Sequence, residues 1–535
     1  MKNRVFCSIP VVSALVLLLS SSIVGQVPVT TFHNDNYRSG VNANETTLTP
    51  SNVNEVTFGK RFALPVNGYI YGQPLYLPNV NINGTLHNVV YVVTEEDQAY
   101  AFDVNSGQQL WNKNFLVSTN PLKTILPIDG GDTGCVINGY ELGITSTPVI
   151  DLSTNEIYIV AATKEIFHGN TTFYQRLHVL DIRTGVEKIL GPAYGAPITA
   201  KVPGTGSGSV DGYISFDPKQ SLQRPALTLA NGQVYIAWAA LCDFDLAHGW
   251  VMSFHSDSLW PSGVWLDTAN GNLGGIWHSG SGLAVDSAGS LYAATGNGLF
   301  DANIGGVDYG DSVVRISSSG NQLTVADYFT PWDQGWLGAH DWDVGSGGVM
   351  LLPDQPGAPY PHLLVQVGKE GTLDLINRDN MGHYNPAGDT QIVQTLPRLI
   401  VGGALGGFWG TPTMWNNIFY FAAAGGQLKT YNYDPQKQLI QAHFTSATPE
   451  YFSYPGPTPS ISSNGTSNGI AWIFGCDSVL RAYDATNLAN ELYNSNQNPQ
   501  RDQAGTALQF GVPTIADGLV FIPARNEVDV YGLLQ

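Results

Sequence analysis

One unit recurs along this chain and leaves few folds open to it. "VVYVVTEEDQAYAFDVNSGQQLW", Val89 to Trp111, reads as a short apolar strand, a tight turn, an alternating strand ending in Asp, and a Gly turn into a third strand. Similar units follow in "EIYIVAATKE" with "RLHVLDIRTG", "GQVYIAWAAL" with "GWVMSFHS", and "SLYAATGNG" with "DSVVRISSSG". The remaining units are "HLLVQVGKEGTLDLINRDNMG", "IFYFAAAGGQLKTYNYD", "GIAWIFGCDSVLRAYDATN" and "GLVFIPARNEVDVYGLL". Each is preceded by one more short strand, as in "GQPLYLP", "TSTPVID" or "VPTIADG". Period-two alternation in short runs bounded by Gly, Asn and Asp is the signature of strands joined in hairpins. Eight such units, each on the order of 50 to 75 residues with about four strands, predict propeller blades.

The last unit stops after its third strand at Gln535 and needs a fourth from elsewhere. "FGKRFALPV", Phe58 to Val66, precedes the first blade without a partner of its own. Its expected place is beside Asp529 to Leu533, where it closes the ring and hides two sheet edges that would otherwise invite aggregation. The predicted fold is therefore all-β, an eight-bladed β-propeller closed by an N-terminal strand, forming a single domain over residues 26–535.

Residues 1–25 have a different character. Lys2 and Arg4 precede an apolar run from Ile9 to Leu19 and then three serines, the layout of a secretory signal peptide. The run is shorter than the roughly 20 residues of a spanning helix, and no later segment reaches that length. The expected location is secreted or periplasmic, with no transmembrane segment once the signal is cleaved near Gly25. Cys7 leaves with it, so Cys135, Cys242 and Cys476 remain. Export permits a disulfide; the expected pair is Cys135 with Cys242, the alternative being three buried thiols.

Charged residues are only 12% of the chain, and the formal net charge is −20. Phosphate backbones repel such a protein, which excludes nucleic acid as a partner, while a cationic ligand or a metal is permitted. Two acidic loops, Asp129 with Asp132 and Asp301 with Asp308 and Asp311, could hold calcium or could simply form Asx turns. Neither has EF-hand spacing. His248, His278 and His340 lie near the same face without any HExxH or Ser/His/Asp pattern. Asn44, Asn83, Asn170 and Asn464 stand in glycosylation sequons.

Eight blades with endings of the "YAFDVNSGQQLW" type resemble the quinoprotein alcohol dehydrogenase-like (PQQ-repeat) β-propellers. That resemblance spans nearly all of the chain beyond the signal. Catalytic members bind pyrroloquinoline quinone on the axis with a calcium or lanthanide ion. Four stretches, in the family's order, resemble parts of that site. "YAATGNGLFDAN" implies Asn297 as a metal ligand. "TPWDQGWLGAHDWDVGSGGVMLL" implies Asp343 as the catalytic base. "VGKEGTLDLINRDNMG" implies Lys369 at the quinone oxygens, and "GGFWGTPTMWNNIFYF" places Trp409 against the cofactor. The types suit the chemistry. Hard cations prefer oxygen ligands, a carboxylate can take an alcohol's proton, and a cation stabilises charge on the quinone oxygens.

Departures accompany these matches. The family's metal-ligating Glu is expected a few residues before "RLHVLD", where "FHGNTTFYQ" holds no acid, so calcium affinity is expected to be weak. The vicinal cysteine pair and any CxxCH haem motif are missing, and Val344 and Gly345 follow Asp343 where a lanthanide-type site has a second acid. Two functions remain open at this point. One is a quinone- and metal-dependent oxidoreductase acting on a small-molecule alcohol or sugar. The other is a non-catalytic propeller that binds a protein or glycan partner and has a degenerate cofactor site.

Overall fold

In the computed structural model, described here for residues 27–135, 141–188, 195–243, 246–402 and 406–534, the described strands gather into eight blade sheets of mostly antiparallel order and a separate two-stranded ribbon, Lys201–Pro203 with Tyr213–Ser215. The signal-peptide reading of residues 1–25 lies outside the described residues. The first blade pairs Leu75–Ile82, Thr85–Thr94, Gln98–Asp103 and Gln109–Asn114 in chain order. The second half of Thr85–Thr94 and nearly all of Gln98–Asp103 are buried, whereas Gln109–Asn114 buries only Trp111 and forms the outer edge. The other blades repeat this order, with a short first strand and a long buried hairpin.

The ring closes where expected. Phe58–Pro65 pairs antiparallel with Glu527–Leu533, with Phe58 opposite Leu533 and Ala63 opposite Asp529. Lys60 Nζ lies 2.5 Å from Asp529 Oδ1, tying the two ends of the chain across the closing blade.

The repeat's final Trp has a structural role between blades. The Trp111 indole donates its N–H to Ile182 O of the second blade at 2.9 Å, and its ring lies flat on Gly185. A Cβ at Gly185 would fall 2.6 Å from that ring, so the glycine of "RTG" is the seat for the previous blade's tryptophan. Trp415 meets Gly469 in the same way and donates to Gly465 O.

The segment 29–42 was not legible as structure in the sequence, and it organises the axis. In order, it exchanges hydrogen bonds with Tyr76, Ile150, Leu229, Val285, Leu351, Met414, Ile461 and Ile515, one residue from the first strand of each blade. Fourteen residues reach roughly 50 Å at full extension, too little to circle the outside of the ring. The segment must therefore cross the central channel. Arg38, fully buried within it, donates to Leu283 O, Phe32 O and the hydroxyls of Thr31 and Thr228. This belt places the chain's own backbone against the first strands of all eight blades. Among the described residues, no helix is long and apolar enough to cross a membrane.

Candidate functional site

The loops leading into the first strands, together with loops joining second to third strands, converge on a cavity of about 330 Å³. Its lining comes from six consecutive blades. Asp243 ends the 3-10 turn Leu241–Asp243, Trp277 precedes His278–Gly280, and Asp343 caps Val344–Ser346. Lys369 follows the strand Leu363–Val367, Trp409 precedes Thr413–Trp415, and Phe510 lies before Thr514–Ala516. Blade loops gather around an axis by construction, so residues far apart in sequence meet here without long excursions.

The charges are organised about Asp343, which is 4% exposed. Its Oδ2 lies 2.6 Å from Lys369 Nζ, and its Oδ1 accepts the Asn297 backbone N–H at 2.8 Å. Lys369 also reaches Asp341 Oδ1 at 2.6 Å, and the Asn297 side-chain amide donates to the same oxygen at 2.9 Å. Burial alone would lower the Lys369 ammonium, but the two carboxylates outweigh it and hold it above its ordinary range. Asp243 is pushed up to about 7, first by burial and then by the negative charge of Asp343, with Lys369 offsetting part of the effect. On the opposite side sits Arg224, lowered to about 10 by burial, its guanidinium 4.4 Å from the Phe510 ring centroid.

Three buried polar atoms at this site have no hydrogen-bond partner: Asn297 Oδ1, Arg224 Nη2 and the Trp277 indole nitrogen. Orphaned buried groups are costly and rare, and at a cavity wall they mark where a ligand completes the bonding. The acceptor Asn297 Oδ1 stands with the carboxylates of Asp343 and Asp243, a donor set suited to a hard cation. Arg224, Lys369 and the Trp277 N–H stand ready for anionic or carbonyl oxygens, and Trp277, Trp409 and Phe510 supply flat apolar walls. These residues fit a planar, oxygen-rich quinone with an accompanying cation.

The four residues singled out by sequence all lie here: Asp343, Lys369 and Trp409 line the cavity, and Asn297 is bonded to Asp343. Lys369 is a half-buried ion-pair partner of Asp343. Trp409 packs edge-on against Tyr454, with ring centroids 5.2 Å apart. Cys135 and Cys242 are joined as a disulfide with Cα atoms 6.1 Å apart, and Cys476 is free and exposed.

The stretch where the resemblance implies a metal-ligating Glu lies away from the cavity. The 167–175 stretch is the outer tip of the hairpin Glu156–Phe167/Asn170–Asp181, where Phe167 pairs with Asn170 at the surface. Glu165 is held there by Lys123 and Arg176. The axial acid is Asp243, from the next blade, beside the disulfide at Cys242. Asp243, Trp277, Arg224 and Phe510 also line the cavity, and no stretch around them resembles a site segment in the sequence. The cue to Asp243 was an acid directly after "AWAALC" in the loop that precedes "GWVMSFHS".

The acidic loops have local roles. Asp129 and Asp132 form the capping box of the short helix Gly130–Thr133, and both bind Lys164. Asp301 accepts from Asp308 N, Asp308 from Asn270 N, and Asp311 from Val344 N. No group of three or more His, Cys, Asp or Glu side chains is arranged to hold a metal ion among the described residues. His248 and His278 are buried structural groups, and His340 stacks on Trp336.

No protein-family model matches the sequence, and no curated protein matches it significantly. Solved structures do match the fold. The quinohemoprotein alcohol dehydrogenase ADHIIG from Pseudomonas putida HK5 aligns with TM-score 0.59 at 13% identity, over 95% of this chain and 80% of that one. Quinohemoprotein alcohol dehydrogenase from Comamonas testosteroni gives 0.58 at 12% identity over the same shares. A europium-containing methanol dehydrogenase gives 0.61 at 11% identity, over 95% of this chain and 98% of that one. At such identities the likeness speaks for architecture. In its fold, this chain is an eight-bladed propeller of the quinoprotein alcohol dehydrogenase kind.

Proposed function

We propose that the protein is a pyrroloquinoline quinone-linked oxidoreductase that oxidises an alcohol or sugar hydroxyl outside the cytoplasm. The observation that carries this reading is the meeting of Asp343, Asn297, Lys369, Trp277 and Arg224 around one axial cavity, three of them with unpartnered polar atoms. Trp277, Trp409 and Phe510 would hold the quinone plane; Arg224 and Lys369 would bind its oxygens. Asn297 Oδ1, Asp343 and Asp243 would hold a calcium or lanthanide ion. When bound, the quinone supplies the electron-accepting carbonyl chemistry.

The protein's own residues do the rest. The Asp343 carboxylate is fixed by the Asn297 N–H and the Lys369 ammonium, so it is oriented to accept the substrate hydroxyl proton without losing contacts. Lys369 bridges Asp343 and Asp341 and so fixes the direction in which the Asp343 carboxylate faces. The Cys135–Cys242 disulfide suits an oxidising compartment, which supports export and removal of residues 1–25.

The test is incubation with pyrroloquinoline quinone and calcium, followed by an absorbance scan and native mass spectrometry. Stoichiometric quinone is expected, with dye-linked oxidation of an alcohol or sugar panel lost in Asp343→Asn while quinone and fold are retained. Failure to bind quinone would replace this reading with the non-catalytic one, a propeller whose mouth binds a protein or glycan.

A further inference from the structure

A second cavity, of about 280 Å³, shares the Asp343 wall with the axial one and has no other residue in common with it. Four further carboxylates face it: Asp333, Glu370, Asp374 and Asp389. None is ion-paired to a cation of the protein among the described residues, whereas Asp343 is held by Lys369. Two of the most deeply buried groups in its wall present unpartnered oxygens, Asp374 Oδ1 and Gln366 Oε1, at 6% and 1% exposure. The Gln366 amide is locked in that orientation because its Nε2 donates to Val344 O and Gly347 O. Trp332 and Trp342 add aromatic walls, and Trp332 is half exposed at the mouth.

We propose that this cavity binds a small organic cation, an amine or quaternary ammonium, with the charged head among Asp374, Glu370 and Asp389 and the alkyl body against Trp332 and Trp342. The chemistry excludes the other classes. Four acids repel an anion, and buried carboxylates without a counter-charge are costly unless a cation completes them. A bare metal is disfavoured because no three acidic or histidine side chains are arranged to hold one, and tryptophan walls offer it no ligands. Tryptophan faces do attract organic cations, and the exposed Arg398 guanidinium already lies 5.0 Å from the Trp342 ring centroid. The size is near the lower end for small-molecule pockets, which calls for a compact ligand.

Protonation supports the geometry. Burial, followed by the charges of Asp389, Glu370 and Asp333, pushes the Asp374 carboxyl up to about 8; the Thr395 hydroxyl offsets this in part but forms no well-aligned bond. Asp389 is raised to about 6 by burial, and Asp333 is raised by burial with Glu370 contributing. The groups facing Asp374 are thus Asp333, Glu370, Asp389 and Asp343, with Lys369 engaged by Asp343 and Arg398 outside over Trp342. A cation entering at pH 7 displaces up to one proton, so binding strengthens as pH rises through about 8.

This inference does not depend on the quinone reading, because its test needs no cofactor. Isothermal titration of the mature protein uses choline and 1,4-diaminobutane as probes, with 3,3-dimethylbutan-1-ol as the neutral isostere and calcium chloride as the metal. The expected result is saturable binding of at least one amine with a Kd of about 1 mM or tighter. It should be weakened about tenfold by Glu370→Gln and by Asp374→Asn, with proton release read from buffers of different ionisation enthalpy. Trp332→Ala should weaken it as well. No saturable amine binding, equal binding of the neutral isostere, or calcium binding with the same residue dependence would each overturn the proposal.

Discussion

Asp374→Asn is expected to stabilise the protein, and to do so more strongly as pH rises. Asp374 lies on the strand Leu373–Asn377, buried, with one oxygen unpartnered and three carboxylates nearby. Its folded-state value of about 8 stands above the roughly 3.9 of an unfolded Asp. Between those values the folded protein holds a proton that the unfolded chain has released, so stability falls as pH rises and levels off above about 8. At about 1.4 kcal/mol per unit, the penalty is about 1.5 kcal/mol at pH 5 and about 4 kcal/mol at pH 7. Asparagine imitates the protonated acid and carries no such penalty. The variant's advantage should therefore grow by about 3 kcal/mol from pH 5 to pH 7, in amine-free buffer. With an unfolding entropy of about 2.1 cal/mol/K per residue over a chain of this length, that is about 3 °C in Tm. Scanning calorimetry of both proteins at pH 5, 6, 7 and 8 reads it directly. A difference that does not change with pH, or a variant that loses stability steadily as pH rises, would refute the electrostatic argument. Saturating amine should narrow the gap, since it binds the wild-type site about tenfold more tightly than the variant's.

Three further outcomes follow from the packing. Cys135→Ser removes a link between residues 107 apart and should lower stability by about 4 to 5 kcal/mol on the chain-entropy scale, with quinone affinity falling as Asp243 loses its anchor; urea titration and absorbance titration measure the two, and an unchanged midpoint would show the bond is not formed. Arg38→Met strands oxygens of four residues in the axial belt and should destabilise the protein by about 3 kcal/mol or more, visible as a lower urea midpoint and faster hydrogen exchange in residues 29–42. Gly407→Ala would put a Cβ 1.7 Å from Lys369 O at a φ of +64°, so it should displace Lys369 and weaken quinone binding, while Gly335→Ala, with open space around it, should behave as wild type in the same titration.

The blades were legible because their determinants are local. Alternation in runs such as "VVYVVT" and "AYAFD" selects a strand buried on one or both faces, and the Asn, Asp and Gly between them select tight turns. Phe58–Pro65 was legible as the closing strand because the last blade lacked one, and pairing is a requirement any sheet edge imposes. Asn297, Asp343, Lys369 and Trp409 could be named because the stretches around them resemble the site segments of the quinoprotein propellers. Asp243 could not be placed that way. Its place depends on which blade's loop reaches the cavity beside Asp343, and the family resemblance pointed instead to residues 167–175, a hairpin tip at the surface.

Ring closure decided the rest. It brings Arg224, Trp277 and Phe510 into one cavity across nearly 290 residues of chain, and it sets Asp333, Glu370, Asp374 and Asp389 around another. Nothing in segment 29–42 alternates or repeats, because its hydrogen bonds go to eight different blades and no local pattern encodes such partners. The sequence by itself determined the strands and their number, since those follow from nearest-neighbour patterning. The tertiary structure alone decided which loops share a cavity and which buried acids lack a partner, since both depend on distances between residues that the chain separates and the closed ring reunites.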